Sequence, residues 1–165
     1  MKNFLFLLSF SISISACNLN PGNGFVNDSD LEFYIGSESS VELFRAFDSA
    51  WKNLDYKLMK TMIADSVSFE FQDGKMANNA DEFIEIIKKD VAKAILDGNS
   101  YTWTTDYAFS VDLTPSKKGE WVNAGFTSIL DNPIDSIDKK VYNDWYFFNQ
   151  GKLELWYQSI RKVRE

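Results

Sequence analysis

Histidine is the usual proton carrier at neutral pH, and this chain of 165 residues has none. That absence removes the Ser-His-Asp triad, the Cys-His pair, His-ligated zinc and the histidine base. Acid and base work falls to Asp, Glu, Tyr and Lys. Glu70, Asp106 and Asp112 lie on separate expected strands without metal-loop spacing, and no glycine-rich phosphate loop occurs. Neither a metal nor a cofactor is expected. Five Trp residues, at 51, 103, 121, 145 and 156, offer stacking surfaces for sugar rings, although strand tryptophans more often serve as core or interface. With 17 Lys and Arg against 24 Asp and Glu, the net charge is −7. Nucleic acid is disfavoured as a partner, because neutralising phosphates takes clustered cations.

Cys17 is the only cysteine, so the chain holds no disulfide of its own. Its setting suggests another use. Lys2 supplies a positive start, Phe4-Leu5-Phe6-Leu7-Leu8 opens a short apolar stretch, and Ile14-Ser15-Ala16-Cys17 resembles the bacterial lipobox. The stretch is too short to span a bilayer as a helix. The resemblance implies cleavage before Cys17, diacylation of its sulfur and acylation of the new amino terminus. Residues 1–16 are thus expected to be a lipoprotein signal peptide, and 17–39 a lipidated Cys with a flexible tether rich in Asn, Gly, Ser and Asp. Within it, Leu31-Glu32-Phe33-Tyr34-Ile35 either docks on the domain or leads into it. Each buried methylene contributes about 0.8 kcal/mol, so several acyl chains anchor firmly in membrane lipid. Asn18 after the cysteine favours the outer membrane, by analogy with other lipoproteins.

Residues 40–165 read as one domain, which suits the length. Ser39-Ser40-Val41-Glu42 resembles a capping box, after which Phe44, Phe47, Trp51 and Leu54 recur at helical spacing. Asp55 is expected to cap a second helix with Leu58, Met59, Met62 and Ile63 inward, ended by Ala64-Asp65-Ser66. Val67, Phe69 and Phe71 alternate with polar residues as in a strand closed by Gln72-Asp73-Gly74-Lys75. Asn79 with Glu82 opens a third helix, with Phe83, Ile84, Ile87, Val91 and Ile95 on one face and Gly98 as its stop. Four strands follow, at about 100–113, 120–130, 140–148 and 152–162. Helices first and a long sheet after them point to an α+β fold with helices on one face.

This order resembles the nuclear transport factor 2-like superfamily, which includes SnoaL-like polyketide cyclases and ketosteroid isomerases. The resemblance rests on Phe44 to Trp51, Asp55, Ala64-Asp65-Ser66-Val67, and Trp145-Tyr146-Phe147-Phe148-Asn149-Gln150-Gly151-Lys152-Leu153. It implies a cone-shaped, cystatin-like fold: three N-terminal helices packed on a curved antiparallel sheet, with a pocket between the concave face and the first helix. Carried over by position, the isomerases' tyrosine donor falls on Phe47 and their aspartate base at or beside Phe71, neither of which can transfer a proton. Only the second carboxylic acid is matched, by Asp144.

Strand alternation puts Tyr142, Asp144, Tyr146 and Phe148 on one face and Val141, Asn143, Trp145 and Phe147 on the other. The resemblance places Trp156 and Gln158 at cavity positions, Phe47 and Trp51 above the pocket, and Phe69 or Phe71 at its floor. Such a pocket suits a flat, apolar ligand with Asp144, Gln158 and Tyr142 as polar contacts. Alternatively these aromatics interlock as core. An acid lodged among Trp145, Tyr146 and Trp156 has its pKa raised by desolvation; otherwise Asp144 faces solvent or bonds a neighbouring Tyr or Arg161. The expected function is a membrane-anchored envelope lipoprotein whose domain binds a small apolar ligand or an envelope protein without catalysis. The alternative is a SnoaL-like enzyme using Asp144 as general acid and base. The resemblance also implies a homodimer through the sheet's outer face.

Overall fold

A computed structural model describes residues 22, 24–113, 118–132 and 136–162. The expected signal peptide, Cys17, the connection at 114–117 and residues 133–135 and 163–165 lie outside the described residues. The elements run β1 (Phe33–Ile35), α1 (Glu38–Lys52), α2 (Tyr56–Met62), β2 (Ile63–Glu70), β3 (Met76–Ala77), α3 (Ala80–Leu96), β4 (Ser100–Leu113), β5 (Glu120–Asn132), β6 (Ser136–Asn149) and β7 (Lys152–Lys162). One seven-stranded sheet has the order β1-β4-β5-β6-β7-β2-β3. The fold is α+β with three helices. The sheet is mixed rather than wholly antiparallel, since β2 runs parallel to β7, with Phe69 opposite Trp156. Sequence alternation predicts strands but not the direction of a neighbour more than eighty residues away.

Local chemistry explains most boundaries. Asp55 accepts the Leu58 N–H at 3.0 Å and Asn79 accepts that of Glu82 at 2.9 Å, each satisfying a free donor at a helix start. Gly98, with φ of 71°, takes the left-handed conformation that stops α3. Gln150 and Gly151, at φ of 50° and 77°, form the tight turn between β6 and β7.

Several expectations are corrected. α1 is capped by Ser37, not Ser39. The reason is tertiary: Glu120 Oε2 accepts the Ser37 N–H at 2.8 Å and the hydroxyls of Ser37 and Ser40, each at 2.7 Å. Gly36 allows the approach, for a Cβ there would lie 2.8 Å from the Ser110 side chain. Of the two uses open to Leu31 to Ile35, the structure shows docking: residues 33–35 pair with β4 at Val111 to Leu113. Ile63 to Ser66 begin β2 instead of ending the helix, while Lys152 donates to the Thr61 carbonyl at the end of α2. Leu58 and Ile95 are exposed although their spacing predicts burial. Leu58 lies on a helix of only two turns, and Ile95 lies near the end of α3.

Glu120 thus ties the start of α1 to the sheet. Glu120→Ala is expected to lower the urea midpoint by an amount worth about 2 kcal/mol, the usual scale for hydrogen bonds to a charged group. An unchanged midpoint would remove this tie from the account.

Candidate functional site

Asp144 lies in the middle of β6, opposite Ala124 of β5 and Gln158 of β7. It is 3% exposed. Trp156 Nε1 donates to its Oδ2 at 3.2 Å and the Tyr146 hydroxyl donates to the same oxygen at 3.4 Å. Oδ1 is buried and has no hydrogen-bond partner within 3.5 Å among the described residues. Burial, the largest cause, pushes the carboxyl up from 3.8 to about 7, against the pull of Trp156, the Ser159 backbone N–H, Gln158 and Tyr146. Tyr146 is pushed well above its ordinary 10.0, by burial first and then by Asp144 and Asp48, so it remains a hydroxyl donor.

The aromatics expected to line a pocket interlock around this acid. Trp156 is completely buried and meets Phe71 at 4.9 Å, Phe83 at 5.5 Å, Trp51 at 5.6 Å and Phe69 at 6.3 Å between ring centres. Phe47 stacks on Phe83 at 6.3 Å and meets Tyr146 edge to face at 6.5 Å. Tyr142 is buried one step along the same face. Gln158 sits at the rim, where its Oε1 accepts the Gln72 N–H at 3.5 Å. The chain therefore brings the expected residues together between the helices and the inner face of the sheet, Phe47 and Trp51 from α1 and the others from the strands and the Phe71 turn. Trp145 is the exception among the acid's expected neighbours: its ring meets Phe109 and Trp121 on the other face. One-residue alternation dictates this.

Two clefts lie elsewhere, and sequence reasoning missed both. One, of about 290 Å³, runs between α1 and the middle of β4, lined by Phe44, Arg45, Asp48, Thr105, Asp106 and Tyr107 among others. Asp48 is neutralised there: Trp103 Nε1 donates to Oδ1 at 2.8 Å, and Thr105 and Lys52 donate to Oδ2 at 2.8 and 2.7 Å. The second, of about 370 Å³, crosses β4 to β7. A register shift between Thr105 and Tyr107 makes Asp106 a bulge residue shared by both clefts. No sequence motif marks a bulge of this kind. Among the described residues no group of three acidic or cysteine side chains is placed to hold a metal.

The architecture is that of the nuclear transport factor 2-like, or cystatin-like, fold. No family model and no curated protein matches the chain. Solved structures do. A ketosteroid isomerase-like protein from Erwinia carotovora atroseptica aligns with TM-score 0.54 and 11% identity, over 74% of this chain and 94% of that one. An LEH-like epoxide hydrolase from M. tuberculosis aligns with TM-score 0.56 and 12% identity, over 76% and 84%. An NTF2-like protein from Burkholderia xenovorans aligns with TM-score 0.53 and 9% identity, over 78% and 93%. At such identities the likeness is one of fold, and chemistry has to be argued from the residues present.

Asp144 makes stability depend on pH in a definite direction. Its folded pKa of about 7 exceeds its ordinary 3.8, so the folded state holds the proton more tightly. The stability it adds is fully present below pH 4, declines as pH rises from 4 to 7, and is gone above 7. The span is on the order of 4 kcal/mol. Asp144→Asn is expected to remove that decline, and urea denaturation of both proteins at pH 4.5 and 8 measures it. Equal slopes in the two would contradict the buried, proton-bearing acid.

Proposed function

We propose that the chain is an exported lipoprotein of the bacterial cell envelope, anchored through Cys17, whose domain binds and does not catalyse. The observation that carries the reading is the packing of the concave face. Phe47, Phe69, Phe83 and Trp156, each at most 1% exposed, fill the space where an enzyme of this fold needs room for substrate. By the resemblance, Phe47 and a position at or beside Phe71 also fall where the isomerases carry a hydroxyl donor and a base. The lipobox-like Ile14-Ser15-Ala16-Cys17 supports the anchor, and Asn18 supports the outer membrane.

The binding surface we assign is the convex face. Phe109 is about half exposed there, and Trp121, Trp145, Phe147 and Tyr157 are only partly buried. Their rings are contiguous: Trp121 meets Trp145 at 6.3 Å, Phe147 at 5.1 Å and Tyr157 at 5.9 Å. Contiguous exposed aromatics mark an interaction face. A second copy of the chain is the first partner to test, and an envelope protein or a small apolar ligand the next.

One observation favours a second reading. A carboxyl at about 7 with an unbonded oxygen suits a general acid and base, as a SnoaL-like enzyme acting on a small apolar substrate would need. Breathing of the aromatic core would have to admit that substrate.

Two outcomes are expected. Cells expressing the chain incorporate radioactive palmitate into it and lose the label with Cys17→Ala; undiminished labelling of the variant would remove the anchor. The lipid-free protein sediments as a dimer at micromolar concentration, and Trp145→Lys converts it to a monomer with an unchanged circular dichroism spectrum. A monomeric wild type would withdraw the second copy as partner.

A further inference from the structure

The cleft of about 370 Å³ on the convex face has opposite charges at its two ends. Asp106 lies at the β4 end, turned outward by the bulge, with Thr127 Oγ1 donating to its Oδ2 at 2.8 Å and no ion pair to a cation among the described residues. Arg161 lies at the β7 end, exposed, with no carboxylate partner among the described residues. The two strands are three places apart in the sheet, about 14 Å at the usual spacing. Their side chains therefore point into one cleft without meeting.

The floor between them is built for a flat, partly polar body. Gly125 has no side chain because the Tyr107 ring lies across it: a Cβ there would stand 2.2 Å from the ring. Asn143 Nδ2 donates to the Tyr107 hydroxyl at 2.7 Å, which fixes the ring and leaves the hydroxyl proton free to donate. Val141 adds apolar surface and Ser159 a further hydroxyl near Arg161. Asn143 is held in turn by a reciprocal pair of amide bonds with Asn123, at 3.1 and 3.2 Å.

We propose that this cleft binds a small zwitterion of dipeptide size, its ammonium at Asp106 and its carboxylate at Arg161 and Ser159. The charges select against simpler ligands. A lone anion meets the Asp106 carboxylate, and a lone cation meets the Arg161 guanidinium. A molecule with both charges, spaced to reach both ends, satisfies each and covers Tyr107 with its body. The inference is independent of catalysis at Asp144, which lies on the opposite face of the sheet.

The test is calorimetric titration of the full chain in detergent with Gly-Gly, Ala-Ala and Ala-Phe, each also as its N-acetyl and its C-amide form. At least one free dipeptide is expected to bind saturably, and blocking either end to weaken it about tenfold, the scale of one charge-assisted hydrogen bond. Arg161→Gln is expected to abolish the penalty for amidation and keep the penalty for acetylation. Asp106→Asn is expected to do the reverse. Both side chains are at the surface, so both variants keep the fold, which circular dichroism verifies. Absence of binding by all three free dipeptides overturns the proposal. Blocked forms that bind as well as free ones, or variants that leave both penalties intact, overturn it equally.

Discussion

The indole N–H of Trp156 donates to the carboxyl of Asp144, and the inner face of the sheet is assembled around that bond. A carboxylate buried among aromatic rings has little water to stabilise its charge, so it holds its proton to about pH 7. The same burial lets Trp156, entirely enclosed, serve as the hub on which Phe69, Phe71 and Phe83 and the first helix's Trp51 converge. The acid satisfies a buried indole donor that would otherwise cost free energy. In return the indole supports an acid whose second oxygen remains unbonded.

The two faces of the sheet then divide the work. Inward residues close against α1 and α3 as a dense core, while outward residues leave rings and polar groups at the surface. On the outer face, Asn123 and Asn143 bond each other between an aromatic field that includes Trp121 and Trp145 and the charged cleft from Asp106 to Arg161. The aromatic field suits a partner protein and the cleft suits a small charged molecule. Binding on the convex face is the common element.

Much of the fold was legible because its signals are local. Asp55 and Asn79 announce helix starts through side chains that reach only three residues ahead, and Gly98 and Gln150-Gly151 announce stops and turns through backbone geometry. β4 begins and ends where strand pattern places it, as does β7. What the sequence concealed is long-range. Ser37 became the cap of α1 because Glu120, eighty-three positions away, holds its amide and hydroxyl. The parallel pairing of β2 with β7 has no local signature. At the site, alternation assigned Asp144, Tyr146 and Tyr142 to one face correctly, and it put Trp145 on the other, against the expectation that Trp145 surrounds the acid. Whether Phe47, Phe69 and Trp156 leave a cavity depends on how rings tilt against each other, which spacing does not encode. The Asp106 bulge is equally silent, although it opens both clefts.

The most direct test is the titration of the Asp144 carboxyl carbon by NMR, assigned by comparison with Asp144→Asn. A midpoint near pH 7 is expected. A midpoint near 3.8, the ordinary value for an aspartate, would contradict it, because an acid that ionises so readily is in contact with water and the inner face is not closed around it.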